Sequence, residues 1–164
     1  MFDIRAATQA DRPLIFATWL RSYRHGSQTP RRVPDAIYFA RHHELIEELL
    51  DLSDVRVAHP PGEPEVILGW SVAELLEPDA EGEPVPVAVH YVYVKPPFRR
   101  AGVARALLAH VDRLESSGSA VLYTHETFTL KAEELAAHVA RWAFDPYLAI
   151  RRDWSDRPNE RRNP

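Results

Sequence analysis

The spacing of hydrophobic residues changes along the chain between a period of two and a period near 3.6, which distinguishes strands from helices. Strands are predicted where apolar and polar residues alternate or where short apolar runs lie between turn residues, at residues 2–6, 55–58, 66–76, 85–94, 119–124 and 147–151. Helices are predicted where apolar residues recur every three or four positions, at residues 10–26, 34–52, 104–118 and 129–142. The element order is therefore β-α-α-β-β-β-α-β-α-β. Gly69, inside the third strand, is a candidate β-bulge.

The chain of 164 residues is long enough for one domain with one substantial core, which we assign to residues 1–152. Residues 153–164 are charged, contain two prolines and offer little to bury, so a disordered tail is expected there. A polar loop is expected over residues 27–32, between the first two helices.

The composition of the chain argues against several classes of protein. The net charge of -4 disfavours a nucleic-acid binder driven by overall charge. Cysteine is absent, which excludes disulfides and thiolate chemistry and agrees with a reducing compartment. No apolar run approaches the ~20 residues that span a bilayer, and the first residues lack a signal-peptide pattern. A cytoplasmic protein without membrane or nucleic-acid partners is expected.

The clearest functional pattern lies between the strand at 85–94 and the helix that follows. It reads Val94-Lys95-Pro96-Pro97-Phe98-Arg99-Arg100-Ala101-Gly102-Val103-Ala104. A short basic loop before a helix turns several backbone N–H groups toward one point, at the positive end of the helix dipole, which suits a phosphate. Gly102 lets a ligand approach the backbone closely, while Arg99 and Arg100 add positive charge. The loop has neither the Walker pattern nor Gly-x-Gly-x-x-Gly.

This loop resembles the acyl-CoA signature of the GNAT superfamily (Gcn5-related N-acetyltransferases), Val-x-Pro-x-Phe/Tyr-Arg-x-x-Gly-x-Gly/Ala. The matching residues are Val94, Pro96, Phe98, Arg99, Gly102 and Ala104. The element order over residues 2–151 also matches that superfamily. The resemblance implies an α/β (α+β) GNAT fold: a central mixed, mostly antiparallel sheet of six to seven strands, with splayed fourth and fifth strands, flanked by four helices. A monomer or a homodimer is expected.

The resemblance further implies that acetyl-CoA is the co-substrate and that its pantetheine arm lies between the splayed strands. The strand residues expected beside the arm are Val92, Tyr93 and Val94. The loop residues expected to hold the pyrophosphate are Arg99, Arg100, Ala101, Gly102, Val103 and Ala104. An amine of a small molecule or protein, unidentified from the sequence, would attack the thioester directly, and no metal is needed.

Direct attack requires a base for the ammonium proton and allows an acid for the leaving thiolate. His90 is the first candidate base, because strand alternation places it on the face of Val92 and Val94 and its ordinary pKa is about 6.5. Alternatives are Glu74, His125 and Glu126. Tyr147 is the candidate acid, since many members of the superfamily carry a tyrosine after the fourth helix, near the CoA sulfur.

The C-terminal half departs from the superfamily pattern. Residues 142–147 lack the usual Gly-Phe after the tyrosine, and Thr124-His125-Glu126-Thr127 replaces the usual asparagine region after the fifth strand. A non-catalytic GNAT-like module that binds CoA or a partner therefore stays open as an alternative. Transfer of another acyl group also stays open, because the signature specifies CoA and not the acyl chain. Residues 42–47 resemble a zinc helix, but Glu47 stands where the second histidine is required, so no metal site is expected.

Overall fold

The computed structural model describes residues 1–76, 86–109, 111, 121–127 and 142–149. The strands are β1 (Asp3–Ala6), β2 (Asp54–His59), β3 (Gly69–Leu75), β4 (Val87–Val94), β5 (Val121–Tyr123) and β6 (Trp142–Phe144). The helices are α1 (Arg12–Gly26), α2 (Gln28–Arg31), α3 (Asp35–Leu52) and α4 (Val103–Leu107), with short 3-10 turns at Gln9–Asp11 and Pro96–Phe98. Within these ranges, no helix is long and apolar enough to cross a membrane.

The six strands form one mixed sheet in the order β1-β2-β3-β4-β5-β6, which confirms the predicted architecture. The pairs from β1 to β4 are antiparallel, whereas β5 pairs in parallel with both β4 and β6. β4 pairs with β5 only over Val87–Val89, although β4 continues to Val94. The two strands therefore separate after Val89, and a gap opens along the second half of β4.

A β-bulge lies in β4 where this gap begins. Val72 of β3 pairs with Tyr91, but the next residue, Ala73, pairs with Val89. His90 is thus the extra residue of β4, without a partner of its own on β3. The prediction of a bulge at Gly69 is wrong, because Gly69 begins β3 in regular register with its neighbours on β2 and β4.

The bulge changes which backbone groups of β4 point into the gap. Before it, the carbonyl of Val89 faces β5 and accepts a hydrogen bond from the N–H of Thr124 at 3.3 Å. After it, the N–H of Lys95 turns the other way and donates to the carbonyl of Leu68 at 2.9 Å. Because backbone groups alternate along a strand, those of Val92 and Val94 face the gap.

The sheet is covered on both faces. One face packs against α1 and α3 through a core that includes Ile15, Trp19, Ile46, Leu49, Val57, Trp70, Val72 and Tyr91. The opposite face packs against α4 through Ala58, Leu68, Val103 and Leu107, and this core continues through Val92 to Val87, Val89, Val111 and Val121. β4 is therefore buried over residues 87–91 and partly buried over residues 92–94, along the gap.

Three expected elements differ from the structure. Residues 27–32 were expected as a loop, but Gln28–Arg31 is helical, with Pro30 buried and its carbonyl accepting the N–H of Val33 at 3.2 Å. The third strand begins at Gly69 rather than at residue 66, because residues 60–66 form turns. The last strand is Trp142–Phe144, and residues 146–149 form a turn instead of the strand predicted at 147–151.

The position of this last strand has a local cause. Trp142 packs against the core around Val121, and the N–H of Asp145 donates to the carbonyl of Tyr123 at 3.0 Å, so pairing with β5 is complete before Pro146. The sequence pattern instead predicts Trp142 as the last residue of a helix at residues 129–142. The remainder of that helix, the second half of the helix at 104–118, and the tail at 153–164 lie outside the described residues.

Candidate active site

The loop after β4 has two residues with left-handed backbone. Arg100 has φ 65 and Gly102 has φ 80, after the 3-10 turn at Pro96–Phe98. Arg100 is the one non-glycine residue with positive φ in the ranges that the structure describes. Such a turn directs successive backbone N–H groups into one concavity, an arrangement that binds anions. A non-glycine residue with a left-handed backbone is strained, and backbone strain of this kind is concentrated at functional sites.

α4 begins directly at this loop, with Gly102 as its N-cap. The first intrahelical hydrogen bond runs from the N–H of Ala106 to the carbonyl of Gly102 at 3.1 Å, so the N–H groups of residues 103–105 precede the helical ladder. A Cβ at Gly102 would meet no atom within 4 Å, and Ala104 is exposed. The donors of the loop therefore face open space.

Gly69 fixes this loop against the sheet. A Cβ built on Gly69 would lie 2.6 Å from the carbonyl oxygen of Tyr93, 3.2 Å from the Cα of Val94 and 3.3 Å from Cγ1 of Val103. β3, the end of β4 and the start of α4 thus meet where only a glycine fits. The buried side chains of Val103 and Leu107 hold α4 on the same face of the sheet.

The residues expected beside the donor arm have different orientations. The backbone groups of Val92 and Val94 face the gap, as described above. Those of Tyr93 face β3, and its ring stacks on Trp70 with centroids 5.8 Å apart. The side chain of Arg99 lies at the open edge, where its Nε donates to the carbonyl of Val94 at 3.1 Å.

His90 does not lie on the face of Val92 and Val94. Strand alternation predicted that position, but the bulge inserts His90 and turns its side chain toward Glu74, which lies at 3.1 Å between Nε2 and Oε2. The prediction was wrong for a physical reason, since a bulge interrupts the period of two. His90 is 1% exposed, and burial lowers its pKa to about 4.

A chain of hydrogen bonds connects β3, β4 and the segment after β5 at this point. Nδ1 of His90 lies 3.1 Å from Oγ1 of Thr124, and that oxygen lies 2.8 Å from Nδ1 of His125. With Glu74 of β3 at the other end, four side chains form one connected unit, called here the Glu74–His125 chain. It lies at the end of the gap where β4 and β5 separate. Sequence reasoning treated Glu74, His90 and His125 as competing candidates and gave no signal for Thr124.

Aromatic rings surround the His125 end of this chain. The ring centroids of Trp19, Tyr23, His42 and Tyr91 lie 5.4, 4.7, 5.2 and 5.8 Å from that of His125. Burial lowers the pKa of His125 well below its ordinary value, and the neighbouring histidines lower it further. His125 is therefore uncharged at neutral pH.

His42 is stacked between two tyrosines within this aromatic group. Its ring lies 5.1 Å from that of Tyr23 and 5.1 Å from that of Tyr38, and both pairs are close to parallel. Burial lowers the pKa of His42 to about 4, and its Nε2 has no hydrogen-bond partner in the described part of the chain. Burial also raises the pKa of Tyr91 to about 12, with its hydroxyl 2.9 Å from Oγ of Ser22.

Tyr147, the candidate acid, lies in the turn after β6 and is 68% exposed. Its N–H donates to Oδ1 of Asp145 at 3.0 Å. No hydrogen bond between described residues joins its side chain to the Glu74–His125 chain. Within the described residues, the structure thus brings together three of the candidate bases, Glu74, His90 and His125, whereas the candidate acid lies exposed in a separate turn.

The sequence matches no protein-family model and no curated protein. Solved structures do resemble it. A putative acetyltransferase from Pyrococcus furiosus matches with a TM-score of 0.63 at 17% identity, over 85% of this chain and 92% of its own. A GCN5-related N-acetyltransferase from Ralstonia eutropha matches with a TM-score of 0.60 at 17% identity, over 84% and 90%.

A third similar structure was solved with a ligand. It is a putative acetyltransferase from Salmonella typhimurium with its cofactor acetyl-CoA, with a TM-score of 0.51 at 22% identity, over 85% of this chain and 78% of its own. At these identities the similarities concern the fold.

Proposed function

Because this chain has the GNAT fold, we propose that it is an acetyl-CoA-dependent N-acetyltransferase that acetylates an amine of a small molecule or protein. One observation carries the proposal. The gap along β4 leads from the Glu74–His125 chain at one end to the concave loop of backbone donors at the other. A CoA thioester has this layout, with an extended polar arm that ends in a pyrophosphate.

The donor would bind mainly through backbone groups. The backbone groups of Val92 and the N–H of Val94 would pair with the amides of the pantetheine arm, as an added strand would, while the carbonyl of Val94 accepts from Arg99. Residues 100–104 surround the pyrophosphate with N–H groups, and Arg99 adds charge beside it. Tyr93 acts indirectly, since its carbonyl contacts β3 at Gly69 and fixes the position of the loop.

The reaction is attack of the amine nitrogen on the thioester carbonyl, with formation of the C–N bond and cleavage of the C–S bond. It requires removal of a proton from the acceptor's ammonium group. We place His90, within its hydrogen-bonded chain, in that step. Tyr147 is the proposed proton donor to the leaving thiolate, and its exposed position after β6 leaves its ring accessible.

Thermal unfolding with and without acetyl-CoA tests donor binding. At a hundredfold excess over Kd, acetyl-CoA stabilises the folded protein by about 2.7 kcal/mol, which raises Tm by about 5–10 °C for a chain of this size. Gly102→Glu should abolish the rise by placing bulk and negative charge among the donors. Gly62→Glu is the matched control, because Gly62 has φ 78 and equally open surroundings in a turn outside the site.

The two Gly→Glu variants should therefore lose similar stability through backbone strain, while only Gly62→Glu keeps the response to acetyl-CoA. A full response in Gly102→Glu would refute the loop as the pyrophosphate site. Thiol release with a panel of amines then tests turnover. Binding without release for every amine would favour the CoA-binding module, and a preference for longer acyl-CoA donors would favour transfer of another acyl group.

A further inference from the structure

We infer, on the basis of the proposed function, that Thr124 sets the length of the acyl group that this protein accepts and limits the donor to the two-carbon acetyl group. Thr124 directly follows β5. It lies where β5 separates from β4, and the residues Val89, His90 and Thr124 are called here the closed end of the gap. The inference concerns the acyl group, which the donor loop does not distinguish.

The closed end of the gap is filled by backbone and side chains together. The N–H of Thr124 donates to the carbonyl of Val89 at 3.3 Å, which joins β5 to β4 at the point where the two strands separate. Val89, His90 and Thr124 are all buried. A ligand that enters the gap from the Val94 end therefore meets buried atoms when it reaches the closed end.

The side chain of Thr124 is held in place from two sides. Its Oγ1 lies 3.1 Å from Nδ1 of His90 and 2.8 Å from Nδ1 of His125. The ring of His125 is itself enclosed, with the ring centroids of Trp19 and Tyr23 at 5.4 and 4.7 Å. Interiors packed in this way respond to the addition of even one methylene group. The size of the side chain at position 124 therefore decides how much of an acyl group fits at the closed end.

The length of the gap brings the acyl group to this end. Val94 pairs with Gly69 and Val89 with Ala73, so this part of β4 runs beside four residue steps of β3, about 13 Å at ~3.3 Å per residue. A CoA donor has about 13 covalent bonds between its pyrophosphate phosphorus and its sulfur, which span about 15 Å at the reach of an extended chain.

These two lengths match when the pyrophosphate lies in the loop just beyond Val94. The sulfur of a donor that extends along β4 then lies beside the closed end, and the acyl carbons lie against Thr124. An acetyl group adds one methyl beyond its carbonyl. Each further methylene of a longer acyl group has to enter space that the side chains of Thr124 and His90 occupy.

Initial rates with acetyl-CoA, propionyl-CoA and butyryl-CoA and one amine test the inference in the full chain. A close-fitting site distinguishes substrates that differ by one methylene by about 10–200-fold. The parent protein should therefore have a kcat/KM about tenfold lower with propionyl-CoA than with acetyl-CoA, and about 100-fold lower with butyryl-CoA. The ratio of these kcat/KM values is the measured quantity, so a loss of rate common to all donors cancels.

Two substitutions at position 124 separate volume from hydrogen bonding. Thr124→Ala enlarges the closed end and should raise the propionyl-to-acetyl ratio about tenfold. Thr124→Val lacks the same hydroxyl but keeps the volume, so it should keep the ratio of the parent. Thr124→Ser keeps the hydroxyl and loses only a methyl; it should raise the ratio in the same direction and serves if Thr124→Ala does not fold.

Val87→Ala is the control for a general loosening of the fold. Val87 is buried and pairs with Val121 in the part of β4 and β5 that stays together, so the substitution removes core volume away from the closed end. The ratio should stay at the parent value. Thermal unfolding adds a measurement that needs no turnover. Butyryl-CoA should raise the Tm of the parent less than the same concentration of acetyl-CoA, whereas both should raise the Tm of Thr124→Ala equally.

The outcomes distinguish this inference from the function on which it rests. Absence of turnover with every donor and every amine would refute the proposed function. Turnover by a parent that uses acetyl-CoA and butyryl-CoA equally well would overturn only the assignment of Thr124. The same holds for an equal propionyl-to-acetyl ratio in Thr124→Ala and Thr124→Val, or for equal rises in the Tm of the parent with the two donors.

Discussion

Gly69→Ala adds one methyl group at the point where β3, β4 and α4 meet. The new Cβ would lie 2.6 Å from the carbonyl oxygen of Tyr93, well inside the ordinary contact distance of about 3.5 Å. The nearest atoms are backbone atoms of β4 and a methyl of the buried Val103, so no flexible side chain can move aside. The two strands must therefore separate locally.

The cost of this change can be set against a matched substitution. Overpacking of this kind costs about 1–3 kcal/mol, while replacing glycine with alanine gains about 0.4–1 kcal/mol through the unfolded chain. Gly69→Ala should thus lower the free energy of unfolding by about 1–2 kcal/mol. Gly26→Ala, at the end of α1, meets nothing within 4 Å and should show only the gain.

Urea unfolding of both variants measures the difference, provided that the slope m is unchanged. Gly69→Ala should also respond less to acetyl-CoA, since displacement of the Tyr93 carbonyl moves its neighbours Val92 and Val94, whose backbone groups face the gap. Equal stability of Gly69→Ala and Gly26→Ala would refute the argument that glycine is required by close approach. Reduced stability with an unchanged acetyl-CoA response would show that the close approach at Gly69 stabilises the fold but does not position the proposed acetyl-CoA site.

Two further predictions concern buried charges and rings. Asp11→Ala removes a carboxylate that accepts from both Nη atoms of Arg5, at 2.7 and 2.8 Å, and should lower the free energy of unfolding by about 3 kcal/mol in urea titrations. Because the pKa of Asp11 is lowered to about 2, its contribution is present above about pH 4 and is lost as the pH falls toward 2; stability independent of pH there would contradict this. His42→Phe keeps a ring between the two tyrosines but removes the unpartnered Nε2, so it should raise that free energy by about 1 kcal/mol at pH 7. Since the pKa of His42 is lowered to about 4, the parent protein should lose stability as the pH falls from about 6.5 to 4, and thermal unfolding of His42→Phe should show a smaller loss.

Local patterns in the sequence predicted the order of the described strands and helices, apart from the short α2, and the loop between β4 and α4. The helical period of apolar residues identifies α3, which buries one face, and a continuous apolar run identifies β4, which packs on both faces. The loop at residues 94–104 is short, and the sequence predicts its place between a strand and a helix from adjacent residues. Gly102 has a left-handed backbone there, as glycine readily adopts, but the left-handed backbone of Arg100 has no signal in the sequence.

Other features depend on contacts between distant residues and left no local pattern. β6 ends before Pro146 because its pairing with Tyr123 is set by β5, about twenty residues earlier in the sequence. The sequence predicts a bulge at Gly69, but glycine is required there because β4 and α4 approach β3 closely. That approach cannot be predicted from the residues that flank Gly69.

The bulge at His90 shows how one register shift determines both halves of the candidate site. Without it, alternation would continue from Val89, and Tyr91 and Tyr93 rather than Val92 and Val94 would present backbone groups to the gap. The same inserted residue turns the imidazole toward Glu74 instead of toward the face of α4. The edge of β4 proposed to bind the donor and the Glu74–His125 chain are therefore coupled through a single backbone feature. Deletion of His90 should consequently impair acetyl-CoA binding as well as turnover, whereas a side-chain substitution such as Thr124→Val should impair turnover alone.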